Sequence, residues 1–187
     1  MKFSMKKVTV LLADGFEEIE ALTVVDLLRR AKVYVDTVSI TDDYTVRGAH
    51  GIPVQTEDLI TEIDFKESDM IVLPGGMPGT TNLKEDENVR KAVQEAYDDG
   101  RYVAAICAAP TILADMGLLK GKRATCYSDM ESEIEDAYLT GAPVATDENI
   151  ITSQGVGTAI DFALKLIEVL ISEEKAVEIA DSIVYQR

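Results

Sequence analysis

Cys107 stands where the apolar run Val103, Ala104, Ala105, Ile106 stops. That run follows a turn at Asp98, Asp99 and Gly100 and reads as a buried strand entering the middle of a sheet. After the cysteine, Ala108 and Ala109 are small, and Pro110 suits the first turn of a helix, where its missing N–H costs nothing. A strand, a nucleophile and a helix, with small residues two positions either side of the nucleophile, is the pattern of a nucleophile elbow. The unpaired N–H groups and the positive end of the following helix favour thiolate over thiol. The elbow therefore predicts a Cys107 pKa well below that of a free thiol. Spacing alone leaves a second reading open, a cysteine kept for packing.

Thiol chemistry on a carbonyl also needs a proton carrier and donors for a developing oxyanion. Glu17, Glu18 and Glu20 fall in the first turn of a helix, where acidic residues usually answer the dipole and solvent. Glu20 is the exception, one turn after Phe16 and one turn before Val24. On that partly apolar face burial raises its pKa and lets it share a proton with Cys107. A thiolate and a carboxylate in contact repel, so Glu20 is expected to hold the proton. Gly75 and Gly76 lie in a loop whose backbone N–H groups can approach an intermediate, with Gly76 placed to act beside Ala108, although Gly-rich turns are commoner than oxyanion holes.

The elements that must position these residues alternate. Lys7 to Ala13 reads as a strand, Glu17 to Ala31 as a helix and Val33 to Ile40 as a strand. Thr41 to Arg47 is polar and turn-like, and Gly51 to Val54 suggests a short hairpin. Met70 to Leu73 is a buried strand, followed by the loop Pro74 to Gly79 and a helix from Asp86 or Glu87 to Asp99. The Tyr102 strand and a helix over Thr111 to Met116 come next. Beyond Arg123 to Cys126, Met130 to Ala137 reads as a short helix, Ala142 to Thr152 as two short strands around Asp147, Glu148 and Asn149, and Ile160 to Leu170 and Glu174 to Ile183 as helices. Alternation of strand and helix means α/β with a parallel sheet. The loops Ala13 to Glu20, Leu73 to Gly79 and Ile106 to Pro110 all leave carboxyl ends of strands, where such sheets build their sites.

At 187 residues and 47% hydrophobic, the chain suits one domain over residues 1–187. A net charge of -16 argues against nucleic acid, whose affinity comes from Lys and Arg on phosphates. No run is long enough to span a membrane, and the start does not read as a secretory signal. Two cysteines make no disulfide framework, so a reducing cytoplasm is expected. Met1 to Ser4 is expected to fray as a start-site extension.

Four segments, LLADGFEEIEA (11–21), VLPGGMPGTTNL (72–83), AAICAAPTILA (104–114) and ITSQGVGTAIDFALKLIEVL (151–170), resemble the ThiJ/PfpI superfamily, and within it the glyoxalase- and deglycase-like branch with the human Parkinson-disease-associated protein. The resemblance implies a flavodoxin-like three-layer sandwich, a homodimer and no cofactor or metal. It maps Cys107 onto the reactive elbow cysteine, Glu20 onto the buried acid that hydrogen-bonds it, and Gly76 and Ala108 onto the oxyanion-binding amides. Two departures stand out. Ala108 replaces the histidine that protease-like members carry after the nucleophile, and Cys126 occupies the place of a histidine near the cysteine in the human-like branch. Cys126 is thus either a second thiol within reach of Cys107 or a packing residue. His50, the one histidine, is implied at the site rim or dimer interface, as an auxiliary group or simply solvated.

Three functions follow. The first is a cofactor-independent glyoxalase or deglycase acting on a small aldehyde, such as methylglyoxal, or a glycated substrate. The second is an oxidative-stress sensor working through Cys107. The third, weaker, is the thiazole monophosphate role implied by the ThiJ name, for which the sequence offers no P-loop or basic phosphate cluster.

Overall fold

The computed structural model describes residues 5–186, so the fraying expected for Met1 to Ser4 lies outside the described residues. In chain order the elements are β1 (Lys7–Leu12), α1 (Glu18–Arg30), β2 (Tyr34–Ser39), β3 (Thr45–Arg47), β4 (Pro53–Gln55), β5 (Asp58–Leu59), β6 (Met70–Leu73), α2 (Gly79–Glu85), α3 (Glu87–Asp98), β7 (Tyr102–Ile106), α4 (Pro110–Asp115), β8 (Arg123–Ala124), β9 (Tyr138–Leu139), β10 (Val144–Asp147), β11 (Ile150–Ser153), α5 (Ala159–Leu170) and α6 (Glu173–Ser182). Seven strands form one sheet in the order β10-β11-β7-β6-β1-β2-β5, parallel except for the edge strand β10.

Period-two alternation sends the strand side chains to two cores. Val8, Val10, Leu12, Val72, Ala104 and Ile106 pack with α1, α5 and α6 on one face. Leu11, Ile71, Leu73, Val103 and Ala105 pack with α2, α3 and α4 on the other. Helices on both faces explain why β1, β6 and β7 read as nearly continuous apolar runs. The result is the expected flavodoxin-like α/β sandwich.

Local departures from the sequence reading have identifiable causes. Val46 turns into the core, so Thr45–Arg47 forms a strand and pairs antiparallel with Pro53–Gln55 instead of staying turn-like. Gly79–Glu85 is an unexpected helix, carried by burial of Leu83 despite weak helix formers. The short helix expected over Met130 to Ala137 is a 3-10 segment at Ser128–Glu133. The two residues of β5, also unexpected, extend the sheet beside Val38 and Ser39.

Candidate active site

Cys107 follows directly after β7 with φ +66°, in the left-handed region that costs a non-glycine residue roughly 1–3 kcal/mol. Its N–H donates to the Ser153 carbonyl at 3.0 Å, and its carbonyl accepts from Tyr127 N–H at 2.8 Å, so the strained turn is held from both sides. The strand–turn–helix pattern of an elbow is therefore present.

Glu20 reaches the elbow from the first turn of α1. Glu17 caps that helix, its Oε2 accepting from Glu20 N–H at 2.8 Å. Helical side chains lean toward the N-terminus, which turns the Glu20 carboxyl back over the loop after β6. There Oε2 accepts from Gly75 N–H at 2.9 Å. Glycine at 75 permits this approach, because a β-carbon would lie 2.6 Å from Cys107 Cβ and 2.7 Å from Glu20 Oε2. Three strand-end loops thus converge, tied also by Glu17 N–H to the Gly75 carbonyl at 2.8 Å. A fourth loop, Gln154 to Thr158 after β11, closes the site and was not among those read from the sequence.

Glu20 is fully buried, and burial, reinforced by the charge of Glu17, raises its pKa to about 7 against hydrogen bonds from Cys107 and Gly75 N–H. The carboxylate of Glu20 opposes the thiolate expected of Cys107. Burial first, and then the charge and hydrogen bond of Glu20, push its thiol up to about 12, although the N–H groups of Ala108 and Gly76 pull it down. The helix expected to lower it, α4, has only six residues. The titration belongs to the pair, which gives up one proton near 7 and the other near 12. The partners favour Glu20 as the keeper of the last proton. Apart from the Cys107 sulfur its buried Oε1 has no hydrogen-bond partner, whereas the sulfur also faces two amides. A protonated carboxyl donating to a thiolate satisfies both groups.

A cavity of about 500 Å³ opens above Cys107 and Glu20, with Glu17, Gly76, Tyr127, Gly155 and Val156 in its lining. The two auxiliary candidates lie outside that lining. Cys126 is buried in the core with α2, α3 and α4, its Sγ donating to the Tyr127 carbonyl at 3.3 Å, whereas Cys107 packs against the other core. Tyr127, the next residue, takes the place above the elbow that the resemblance implied for residue 126. Burial, with Glu131 and Glu133, pushes the Cys126 thiol up to about 11.

His50, with its side chain 69% exposed, holds Glu18 through Nδ1 and its backbone N–H, both at 2.7 Å. Burial works against the Glu18 charge, but the hydrogen bonds from His50 and from backbone N–H groups outweigh it and lower the Glu18 pKa. The same Glu18 bond raises the His50 pKa. Glu17 and Glu18, expected to face solvent, are thus both buried and hydrogen-bonded. The trio Glu17, Glu18 and His50 brings three potential metal-ligand atoms within 4.8 Å of one another, but both Glu18 oxygens are already occupied by donors.

Residues 6–169 match the DJ-1/PfpI family. Protein DJ-1 homolog B of Arabidopsis thaliana is 39% identical over 186 residues, covering 98% of this chain, and the chain spans only 42% of that longer protein. The glutathione-independent glyoxalase DJ-1 of Schizosaccharomyces pombe is 33% identical over 182 residues, 91% of this chain and 94% of that protein. Oxidized Toxoplasma gondii DJ-1 superposes with a TM-score of 0.92 at 36% identity, covering 97% of this chain and 100% of that one. By both sequence and fold, the chain belongs to the DJ-1/PfpI family.

Proposed function

We propose that the chain is a cysteine-dependent, cofactor-independent glyoxalase that converts 2-oxoaldehydes such as methylglyoxal to 2-hydroxy acids, with deglycation as a related reaction. The observation that carries this reading is the buried Oε1 of Glu20, which has no partner other than the Cys107 thiol on its strained elbow turn. The Cys107 thiolate adds to the aldehyde carbon, and the carbonyl electron pair becomes an oxyanion that takes the proton of the Glu20 carboxyl. The Glu20 carboxylate then removes the hydrogen of that carbon and returns it to the neighbouring ketone carbon, while the hydroxyl proton passes from the first oxygen to the second. The aldehyde carbon is thereby oxidised to a thioester while the ketone carbon is reduced to an alcohol, with no external redox partner. Water cleaves the thioester, releasing hydroxy acid and thiol. The N–H groups of Gly76 and Ala108 are the donors for the oxyanion.

The name of the Schizosaccharomyces pombe relative supports this reading. The test is lactate formation from methylglyoxal without glutathione, by wild type and Cys107→Ser. Lactate from wild type alone is expected, and equal formation by the serine variant refutes the role of Cys107.

A sensor reading is favoured by one further observation, the partial exposure of Cys107 beside amide donors. Attack of its thiolate on a peroxide oxygen forms sulfenic acid and releases water, and Glu20 O–H and the amides then hold the oxidised sulfur. The oxidized Toxoplasma gondii structure supports this second role. Graded peroxide followed by mass analysis tests it, and modification elsewhere with Cys107 intact refutes it.

We also place the chain in a reducing cytoplasm as a homodimer. Val25 packs into the core, but Ile19 and Leu22 on α1 are 53% and 38% exposed, and Ile52 beside the start of that helix is exposed too. Burial of this patch against a second copy accounts for the exposure. Among the described residues no helix is long and apolar enough to cross a membrane.

A further inference from the structure

Gly155 leaves a point of empty space in the middle of the site. The position its missing β-carbon would occupy lies 3.9 Å from Cys107 Sγ, 3.9 Å from Glu20 Oε1 and 3.8 Å from Tyr127 Cδ2. Nucleophile, acid and an aromatic edge therefore meet at van der Waals distance around one open point. The backbone there is pinned, because Thr158 Oγ1 accepts from Gly155 N–H at 3.1 Å and donates to the Gly155 carbonyl at 3.0 Å. Its φ of 162° and ψ of -163° are extended, so the conformation does not require glycine, and what the missing side chain provides is space.

The cavity runs outward from this point past two apolar side chains left open to solvent, Tyr127 at 45% and Val156 at 43% exposed. Its roughly 500 Å³ lies in the range of about 300–1,000 Å³ that buries drug-sized ligands, and a three-carbon aldehyde leaves most of it unfilled. Among the described residues its acidic lining is Glu17 and Glu20, with no Lys, Arg or His. The basic side chain placed against Glu17 is His50, at 3.7 Å, and it is engaged by Glu18 at 2.7 Å.

We propose that this site selects carbonyl electrophiles by their substituent: it takes those carrying a flat apolar group, an aryl above all, seated over Gly155 between Tyr127 and Val156, and it disfavours anionic ones. The inference rests on the reading that Cys107 is the nucleophile and deepens it by naming the substrate class. Tyr127, Val156 and Gly155 become specificity residues. An aromatic contact of this kind is worth roughly tenfold in relative rate, and an anion meets the Glu17 carboxylate and the single negative charge shared by Cys107 and Glu20, with no cation in the lining to pair it.

Alkylation of Cys107 tests the selection without requiring turnover. Iodoacetamide, iodoacetate and 2-iodo-N-phenylacetamide each lose iodide to the thiolate, and their rate ratios are compared with those on a small free thiol. The expected result is a several-fold to tenfold gain for the phenyl reagent over iodoacetamide and a loss of similar size for iodoacetate, beyond the free-thiol ratios. Tyr127→Ala and Val156→Ser should return the phenyl ratio toward that of the free thiol. Gly155→Ala adds a methyl that meets no protein atom closer than 3.8 Å, so it should fold normally and still slow the phenyl reagent more than iodoacetamide. Rate ratios that match the free thiol in wild type and variants overturn the proposal. With the ratios as expected, phenylglyoxal should give mandelate with a higher kcat/KM than methylglyoxal gives lactate. Selection among the alkylating reagents with no hydroxy acid from either aldehyde upholds the substituent pocket and defeats the glyoxalase reading alone.

Discussion

Glu20→Gln should change how the stability of this fold depends on pH. In the unfolded chain Glu20 loses its proton near 4.5 and Cys107 near 9.0, whereas in the folded chain the pair loses them near 7 and near 12. Between pH 4.5 and 7 the folded protein therefore holds one more proton than the unfolded one. Stability falls as pH rises through that window, whichever atom gives up the proton. The width of 2.5 pH units corresponds to about 3 kcal/mol at 1.36 kcal/mol per unit. Glutamine has nothing to titrate there, so the stability of the variant relative to wild type should rise by about that amount from pH 4.5 to pH 7.5. Urea unfolding of both proteins at half-unit steps measures it, with m-values checked for constancy. Parallel profiles within 1 kcal/mol would refute the argument that Glu20 is buried at the cost of its charge. The same variant separates the two roles in the pair. Cys107 alkylation should change less than roughly tenfold, while hydroxy acid formation falls by about 10²–10⁴, the range for loss of a general acid–base group. A wild-type alkylation midpoint at or above about 8.5, the free-thiol value, would show that the proton stays on sulfur.

Three further outcomes can be measured directly. Gly75→Ala forces a methyl between Cys107 and Glu20, at 2.6 Å and 2.7 Å from their nearest atoms, and should destabilise by about 1–3 kcal/mol and suppress turnover; a fully active variant would remove the close approach from the argument. Sedimentation at micromolar concentration should give twice the 20.4 kDa protomer mass, and Ile19→Glu combined with Leu22→Glu should return the monomer; a monomeric wild type rejects the dimer. Graded peroxide should accumulate sulfinic acid on Cys107 with Cys126 still a free thiol, since the two pack against opposite cores; a reducible disulfide between them would overturn that placement.

The parts of this fold that sequence reveals are those where burial leaves a periodic trace. β1, β6 and β7 are covered on both faces, so their apolar runs are uninterrupted, and α5 repeats its buried positions at Phe162, Ala163, Leu166 and Ile167. α2 leaves no such trace, because Gly79, Thr80, Thr81 and Asn82 are weak helix formers and tertiary contact alone holds them, including Asn82 Nδ2 donating to the Asp14 carbonyl at 2.9 Å. The site divides along the same line. Three of its loops follow from the rule that parallel strands present their carboxyl ends, and that rule applied to Ser153 would have found Gly155 as well. β11 escaped it because Ala142 to Thr152 reads as two short strands around a turn with no stated place in the sheet, and only the pairing of Ile151 with Ala104 and Ser153 with Ile106 seats its end beside the elbow. How strongly Glu20 and Cys107 oppose each other's charge was beyond reach for a different reason. Amides that favour a thiolate can be inferred from a Cys-Ala-Ala-Pro turn. The burial and the facing carboxyl that oppose them arise from Gly75, where the absence of one side chain brings residues 20 and 107 together.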